Sequence, residues 1–191
     1  VSGGLDQRRD GTLAIMVGGD GKAVARAMPV FEEFGDKIFH VGESGTGAAI
    51  KLINNLLCGI NIVATMEALV LGVKAGLSVQ SLKEVISASS GRSKIFEGLV
   101  DTIPNRTSEP PEGQTANQGL HTIAKDVSLA NAMAQNLSVP LVVGSAALQP
   151  FLTGLANGWE DKEHWVIMEF FEQMSGVSVR PPELTNPRKI H

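Results

Sequence analysis

The stretch GTGAAIKLINN, residues 45–55, sets one ammonium and two amides among small and aliphatic side chains. On a helix each residue advances about 100°. With Lys51 as origin, Asn55 then falls about 40° to one side and Asn54 about 60° to the other. The three polar heads share about a quarter of the circumference, bordered by Ile50, Leu52, Ile53, Leu56 and Leu57. Polar groups in such company cost free energy unless they are paired or used. A lysine withdrawn from water releases its proton more readily, which makes it a usable acid or base. The amides beside it suit fixing a hydroxyl or a carboxylate of a small polar substrate. The same spacing also suits a lysine that reaches out to solvent while the asparagines bond neighbouring helices.

Other segments offer less. VSGG, residues 1–4, presents a serine hydroxyl and two glycines whose N–H groups can approach a carboxylate closely, or else a plain turn after a strand. GGDG at 18–21 and GESGTG at 42–47 are glycine-rich, but neither is G-x-G-x-x-G, so a phosphate cradle is a weak reading of either. HTIAKD puts His121 and Lys125 four residues apart on one helix face with Asp126 beside them, which also describes a solvated face with a local ion pair. His40, His121, His164 and His191 show no metal-ligand spacing, so no metal is expected. Cys58, in an apolar run, reads as a buried core thiol. Trp159/Trp165 and Phe170/Phe171 read as two separate aromatic clusters serving core or interface.

The elements that must hold these groups follow from periodicity. GTLAIMVGG, 11–19, is a buried strand between glycines. Residues 20–35 form a helix capped by Asp20 and stopped by Gly35, and KIFHVG, 37–42, is a second strand. From Thr46 to Ala75 no proline intervenes, and Gly76 supplies a C-terminal stop, giving a helix of about 30 residues and about 45 Å. Further helices are expected at 78–89, within 90–116 ahead of a Pro-rich loop, at 117–137, at 139–158 with a possible kink at Pro150, and at 161–176. The fold class is therefore mainly α: a terminal β-α-β piece, residues 1–42, a long helix, and an all-helical domain, 43–176, with a surface tail at 177–191.

Composition excludes several classes. The 191 residues are 43% hydrophobic and 19% charged, with a net charge of −4. No basic stripe is present, so nucleic acid is not an expected partner. A single cysteine permits no internal disulfide and fits a reducing compartment, the cytoplasm or a mitochondrial matrix. Lys51, Asn54, Asn55, Asn61 and Glu67 interrupt the longest apolar stretch, so no membrane span is expected. The apolar content of the long helix exceeds what a small domain covers, which points to a homo-oligomer. No signal peptide opens the chain, and VSGGLD, with no initiator Met, reads as the start of a portion that begins mid-domain.

The order VSGG, GTLAIMVGG, GESGTGAAIKLINN, EALVLGVKAGL, SSGRS, AKDVSLA resembles the β-hydroxyacid dehydrogenase family, the 3-hydroxyisobutyrate dehydrogenase-like enzymes, over residues 1–176. The resemblance implies the C-terminal portion of an NAD- or NADP-dependent oxidoreductase. The β-α-β piece would be the remnant of a Rossmann-type domain, the long helix an interdomain helix, and the helical domain one similar to the C-terminal domain of 6-phosphogluconate dehydrogenase. Lys51 matches the family's catalytic lysine, and Asn55 and Asn54 its substrate-orienting amides. Ser2, Gly3 and Gly4 match the segment that binds the substrate carboxylate, and Lys125 and Asp126 an element at the nicotinamide end of the cofactor. The implied reaction is hydride transfer between the cofactor and a small β-hydroxy acid, with dimers or tetramers built through the helical domain. The G-x-G-x-x-G fingerprint is not in this sequence. A semialdehyde or imine reductase on the same fold, and a non-catalytic oligomerisation or binding domain, are the alternatives; the retained lysine favours alcohol or carbonyl chemistry over imines. Departures in TSEPPEGQTANQGL and GWEDKEHW leave the substrate open.

Overall fold

The computed structural model of the chain describes residues 1–107, 109 and 119–180. Most of the expected Pro-rich loop and the tail from 181 onward lie outside the described residues. The chain divides into two compact units, Val1–Leu56 and Leu57–His191.

The first unit holds α1 (Leu5–Arg9), β1 (Leu13–Gly18), α2 (Gly21–Phe31), β2 (Gly35–Gly42) and the opening turns of α3 (Thr46–Lys74). The strands pair in parallel, with Ile15 opposite Ile38 and Val17 opposite His40. Parallel strands require a crossover, and α2 provides it. Leu13, Ile15 and Val24 bury the layer's apolar face. Asp20 caps α2 as its side-chain type predicts, accepting the N–H groups of Lys22 and Ala23 at 3.0 Å each. Gly35 does not stop that helix, which ends at Phe31. It opens β2 instead, where a Cβ would lie 2.5 Å from Ile15 Cδ1 and 2.7 Å from Leu13 O.

Similar crowding explains the glycines of GESGTG. A Cβ on Gly47 would stand 2.6 Å from Met16 O and 2.9 Å from Gly18 N. The missing side chain lets the first turn of α3 rest directly on the end of β1. Thr46 reinforces the turn by donating its hydroxyl to Glu43 O at 2.7 Å.

The second unit continues α3 and adds α4 (Val79–Ser87), α5 (Lys94–Thr102), a 3₁₀ turn (Ile103–Asn105), α6 (Leu120–Asn136), α7 (Val142–Ala156) and α8 (Trp165–Ser175). Ser78 and Ser93 cap α4 and α5, each accepting a backbone N–H at 3.0 Å. Ile62, Val63, Met66, Leu69 and Val70 recur at helical spacing and form the buried stripe of α3. Gly59 lets α6 approach this helix, since a Cβ there would meet Val127 Cγ2 at 2.5 Å. Asn131, buried on α6, donates to Val127 O and accepts from Ser145 of α7 at 2.8 Å, so its amide bridges two helices. Pro150 sits inside α7, which runs on to Ala156.

Several expectations are corrected here. The helix expected at 117–137 begins at Leu120. Cys58 is half-buried rather than a core thiol. The aromatic clusters are joined, because Trp159 meets Phe170 edge-on at 6.2 Å and Phe170 lies beside Phe171. By length and composition α3 is able to cross a membrane, so its polar residues do not exclude a span on that criterion; a core helix of a soluble protein passes the same test. Residues 177–180 pack onto α8: Val179 is 1% exposed, and its N–H donates to Glu172 Oε1 at 2.5 Å.

Glu172 also receives Nη2 of Arg106 at 2.5 Å. Both side chains are buried, and the guanidinium lies over the Trp165 ring, 5.9 Å from its centroid. Nε and Nη1 of Arg106 are buried without hydrogen-bond partners among the described residues. The Arg106 carbonyl accepts Nη2 of Arg180 at 2.9 Å. One charge pair thus ties the end of the 3₁₀ turn, α8 and the segment after it together.

Candidate functional site

Lys51, Asn54 and Asn55 project from the part of α3 that belongs to the first unit. Lys51 is half-buried, and its Nζ donates to Asn55 Oδ1 at 2.9 Å. Asn54 Nδ2 donates to the same oxygen at 3.1 Å. The helical arithmetic predicted neighbouring heads; the structure adds that one amide oxygen gathers the other two groups. Lysine and asparagine at i and i+4 meet naturally on a helix, and the contact withdraws the ammonium from free rotation in water. Asn54, by contrast, is exposed.

Ser2 pairs with Ala14 of β1, its N–H donating at 2.8 Å and its carbonyl accepting at 2.9 Å. Its backbone is committed to the sheet, which leaves the hydroxyl for other work. Gly3 has φ +148°, and a Cβ there would lie 2.5 Å from Leu13 Cδ2. Glycine is required at this position on both counts.

Gly4 holds a surprise. Its N–H donates to Gln7 Oε1 at 2.8 Å. Sequence reasoning missed Gln7 because it lies in LDQRR, a run with no apolar period. The signal available was its place three residues past the second glycine, where a short helix can fold the amide back on its own start.

Lys125 and Asp126 belong to α6 in the second unit. Lys125 Nζ lies 3.3 Å from Asp126 Oδ1; the lysine side chain is 61% exposed and the carboxylate is buried. An exposed cation steadied by a buried neighbour remains accessible to an anionic group. His121 turns from them and contacts Glu160 O at 3.3 Å.

The glycine-rich turn at 18–21 does not fit phosphate. Asp20 already fills the N-terminus of α2 with a carboxylate, and Gly19, Asp20, Gly21, His40, Gly42, Glu43 and Ser44 line only a shallow depression. His40 Nε2 contacts Gly19 O at 2.8 Å across it. Among the described residues no cluster of His, Cys, Asp and Glu suits a metal ion.

Against known proteins, residues 45–171 match the family described as the NAD-binding domain of NADP-dependent 3-hydroxyisobutyrate dehydrogenase. Residues 1–42 match the NAD-binding domain of 6-phosphogluconate dehydrogenase. The chain is 39% identical to 2-(hydroxymethyl)glutarate dehydrogenase of Eubacterium barkeri, covering 94% of this chain and 58% of that protein. It is 34% identical to an NAD-dependent L-serine dehydrogenase of Pseudomonas aeruginosa, covering 92% of this chain and 59% of that one. Among solved structures, 3-hydroxyisobutyrate dehydrogenase of Mycobacterium tuberculosis with L-serine superposes with a TM-score of 0.76 at 29% identity, over 88% of this chain and 58% of that one. The chain thus spans less than two thirds of the length of these relatives.

Proposed function

The chain belongs to the 3-hydroxyisobutyrate dehydrogenase-like family of β-hydroxyacid dehydrogenases, and from that premise we propose that it supplies the proton-transfer and substrate-binding half of an NAD(P)-dependent oxidoreductase acting on a small β-hydroxy acid. The observation that carries the reading is the half-buried Lys51 ammonium held on Asn55 Oδ1 at 2.9 Å, on the same unit as Ser2, Gly3 and Gly4.

In the oxidative direction Lys51 Nζ, as the neutral amine, takes the hydroxyl proton of the substrate; in the reductive direction its ammonium protonates the carbonyl oxygen. Asn55 steadies Nζ, and with Asn54 it offers amide groups to align the hydroxyl. The Ser2 hydroxyl and the glycine N–H groups receive the carboxylate. Lys125 and Asp126, on the second unit, would contribute to holding the cofactor. Bound NAD or NADP supplies the hydride acceptor or donor.

The test is a panel of 3-hydroxyisobutyrate, L-serine and 2-(hydroxymethyl)glutarate with NAD and NADP, assayed on an enzyme that carries this chain with its dinucleotide-binding domain. Turnover of at least one small β-hydroxy acid is expected; turnover confined to imines or simple alcohols overturns the reading.

A second reading concerns assembly. Ile50, Ile53, Leu57 and Leu71 of α3 are all more than 40% exposed, Leu71 reaching 70%. Apolar residues repeated along one helix favour cover by a second copy. Sedimentation is expected to show a dimer or tetramer, and a stable monomer at micromolar concentration removes this part of the proposal.

A further inference from the structure

We propose that the part of α3 in the second unit pairs antiparallel with the same helix of a second copy, about a two-fold axis between Leu69 and Val70, and that Glu67 and Lys74 set the alignment by meeting across the copies. The proposal rests on the reading that a second copy covers α3. It goes beyond that reading by naming the face, the direction and the register.

The face is an apolar seam at helical spacing. Ala64, Ala68, Leu71 and Ala75 are all exposed, Leu71 to 70%. Ala75 lies just past the helix but keeps its bond pattern, donating its N–H to Leu71 O at 2.9 Å. Spacings of four, three and four residues bring the four side chains within about 60° of arc, the pattern of a helix that packs lengthwise on another. Leucine protrudes and alanine leaves a hollow, so Leu71 of each copy can seat beside Ala68 of the other at an interaxial distance of about 8–10 Å.

Charge gives the direction. Glu67 and Lys74 are both exposed and share one edge of the seam, two turns apart. The other edge, Thr65 and Gly72, is buried in the unit itself, with Leu82 of α4 standing where a Cβ on Gly72 would go. A parallel pair would set the charged edge against that covered one, whereas an antiparallel pair brings the two charged edges together.

Charge also gives the register. With the axis between Leu69 and Val70, Glu67 lies about 3 Å along the helix from the second copy's Lys74, and the symmetry makes the contact twice. Sliding the pair by one heptad toward the N-terminus sets the two Glu67 carboxylates against each other. Sliding it the other way opposes the two Lys74 ammoniums. Lys74 Nζ already donates to Ser175 O at 2.9 Å, and an ammonium has further donors to spare.

Sedimentation of the 191-residue chain reads the dimer constant. Glu67→Lys turns both contacts repulsive and is expected to raise Kd on the order of tenfold at low salt, with a smaller effect at high salt. Lys74→Glu is expected to do the same, and the double exchange Glu67→Lys with Lys74→Glu to restore most of the affinity. Glu67→Lys leaves the Lys74–Ser175 bond untouched, so its result stands even if Lys74→Glu unsettles α8.

Cross-linking reads the geometry. In a Cys58→Ser background, Ala68→Cys is expected to couple to its own counterpart through a short bismaleimide, since the two positions lie about 4.5 Å apart along the axis. Leu57→Cys is expected not to couple, because the same symmetry separates those positions by about 37 Å. A stable monomer at micromolar concentration ends the assembly reading and this proposal together, as does a monomer that instead sediments with phosphatidylcholine vesicles. A dimer whose Kd ignores Glu67→Lys, or in which position 57 couples as readily as position 68, keeps the assembly reading and overturns the antiparallel register.

Discussion

Lys51→Met is expected to lower kcat for the hydroxy acid by a factor on the order of 10²–10⁴, which is about 3–5 kcal/mol of transition-state stabilisation. Methionine retains the apolar stem and deletes the amine proposed to carry the proton. Asn55 keeps its bond from Asn54 in the variant, so the helix face should persist. A second substitution separates two roles of the ammonium. Lys51→Arg retains a positive charge near the carboxylate, but a guanidinium does not give up its proton in this range. If proton transfer is the function, arginine is nearly as inactive as methionine while KM stays closer to the wild type. If charge alone mattered, arginine would restore much of kcat. Steady-state kcat and KM for both variants decide, and normal turnover in Lys51→Met ends the assignment.

The other large effect lies in the second unit. Arg106→Met should destabilise the fold by about 3–5 kcal/mol, because Glu172 is left buried without its cation. Domains of ordinary size have only about 5–15 kcal/mol to lose. The pair itself is an uneven bargain: two guanidinium nitrogens are buried without partners among the described residues, and the Trp165 face offsets only part of that cost. Adding Glu172→Gln to Arg106→Met should recover most of the loss. Glutamine retains an oxygen for the Val179 N–H and carries no charge to strand. Urea midpoints of the single and double variants test this. A double variant no better than the single would mean that the arginine stem, not the charge, holds the site together.

Much of the fold was legible because local chemistry decides it. Asp20 caps the helix that its side chain suits, and the long proline-free run became α3 within a residue of its expected end. The gathering of Lys51, Asn54 and Asn55 was legible too, since helical spacing fixes which heads can meet. What escaped falls into two kinds. Arg106 and Glu172 stand 66 residues apart, and no period connects them. Gln7 is exposed, and an exposed amide has water as a constant alternative; only coordinates reveal that it chose the Gly4 N–H. Gly35 looked like a helix stop because glycine ends helices, yet the space beside Ile15 and Leu13 is what demands it.

The seat of α3 on β1 makes mechanical demands of its own. Gly47 has no room for a methyl, and what blocks it is main chain, which cannot rotate aside. Any side chain at that position has to lift the start of the helix. Lys51 sits one turn further along, about 6 Å by helical rise, so Nζ would travel with the lifted rod. A displacement of about 1 Å in a reacting group can cost 10²-fold in rate. If Lys51 carries the proton, position 47 acts as its fulcrum, and a side chain there is expected to cost turnover by moving Nζ.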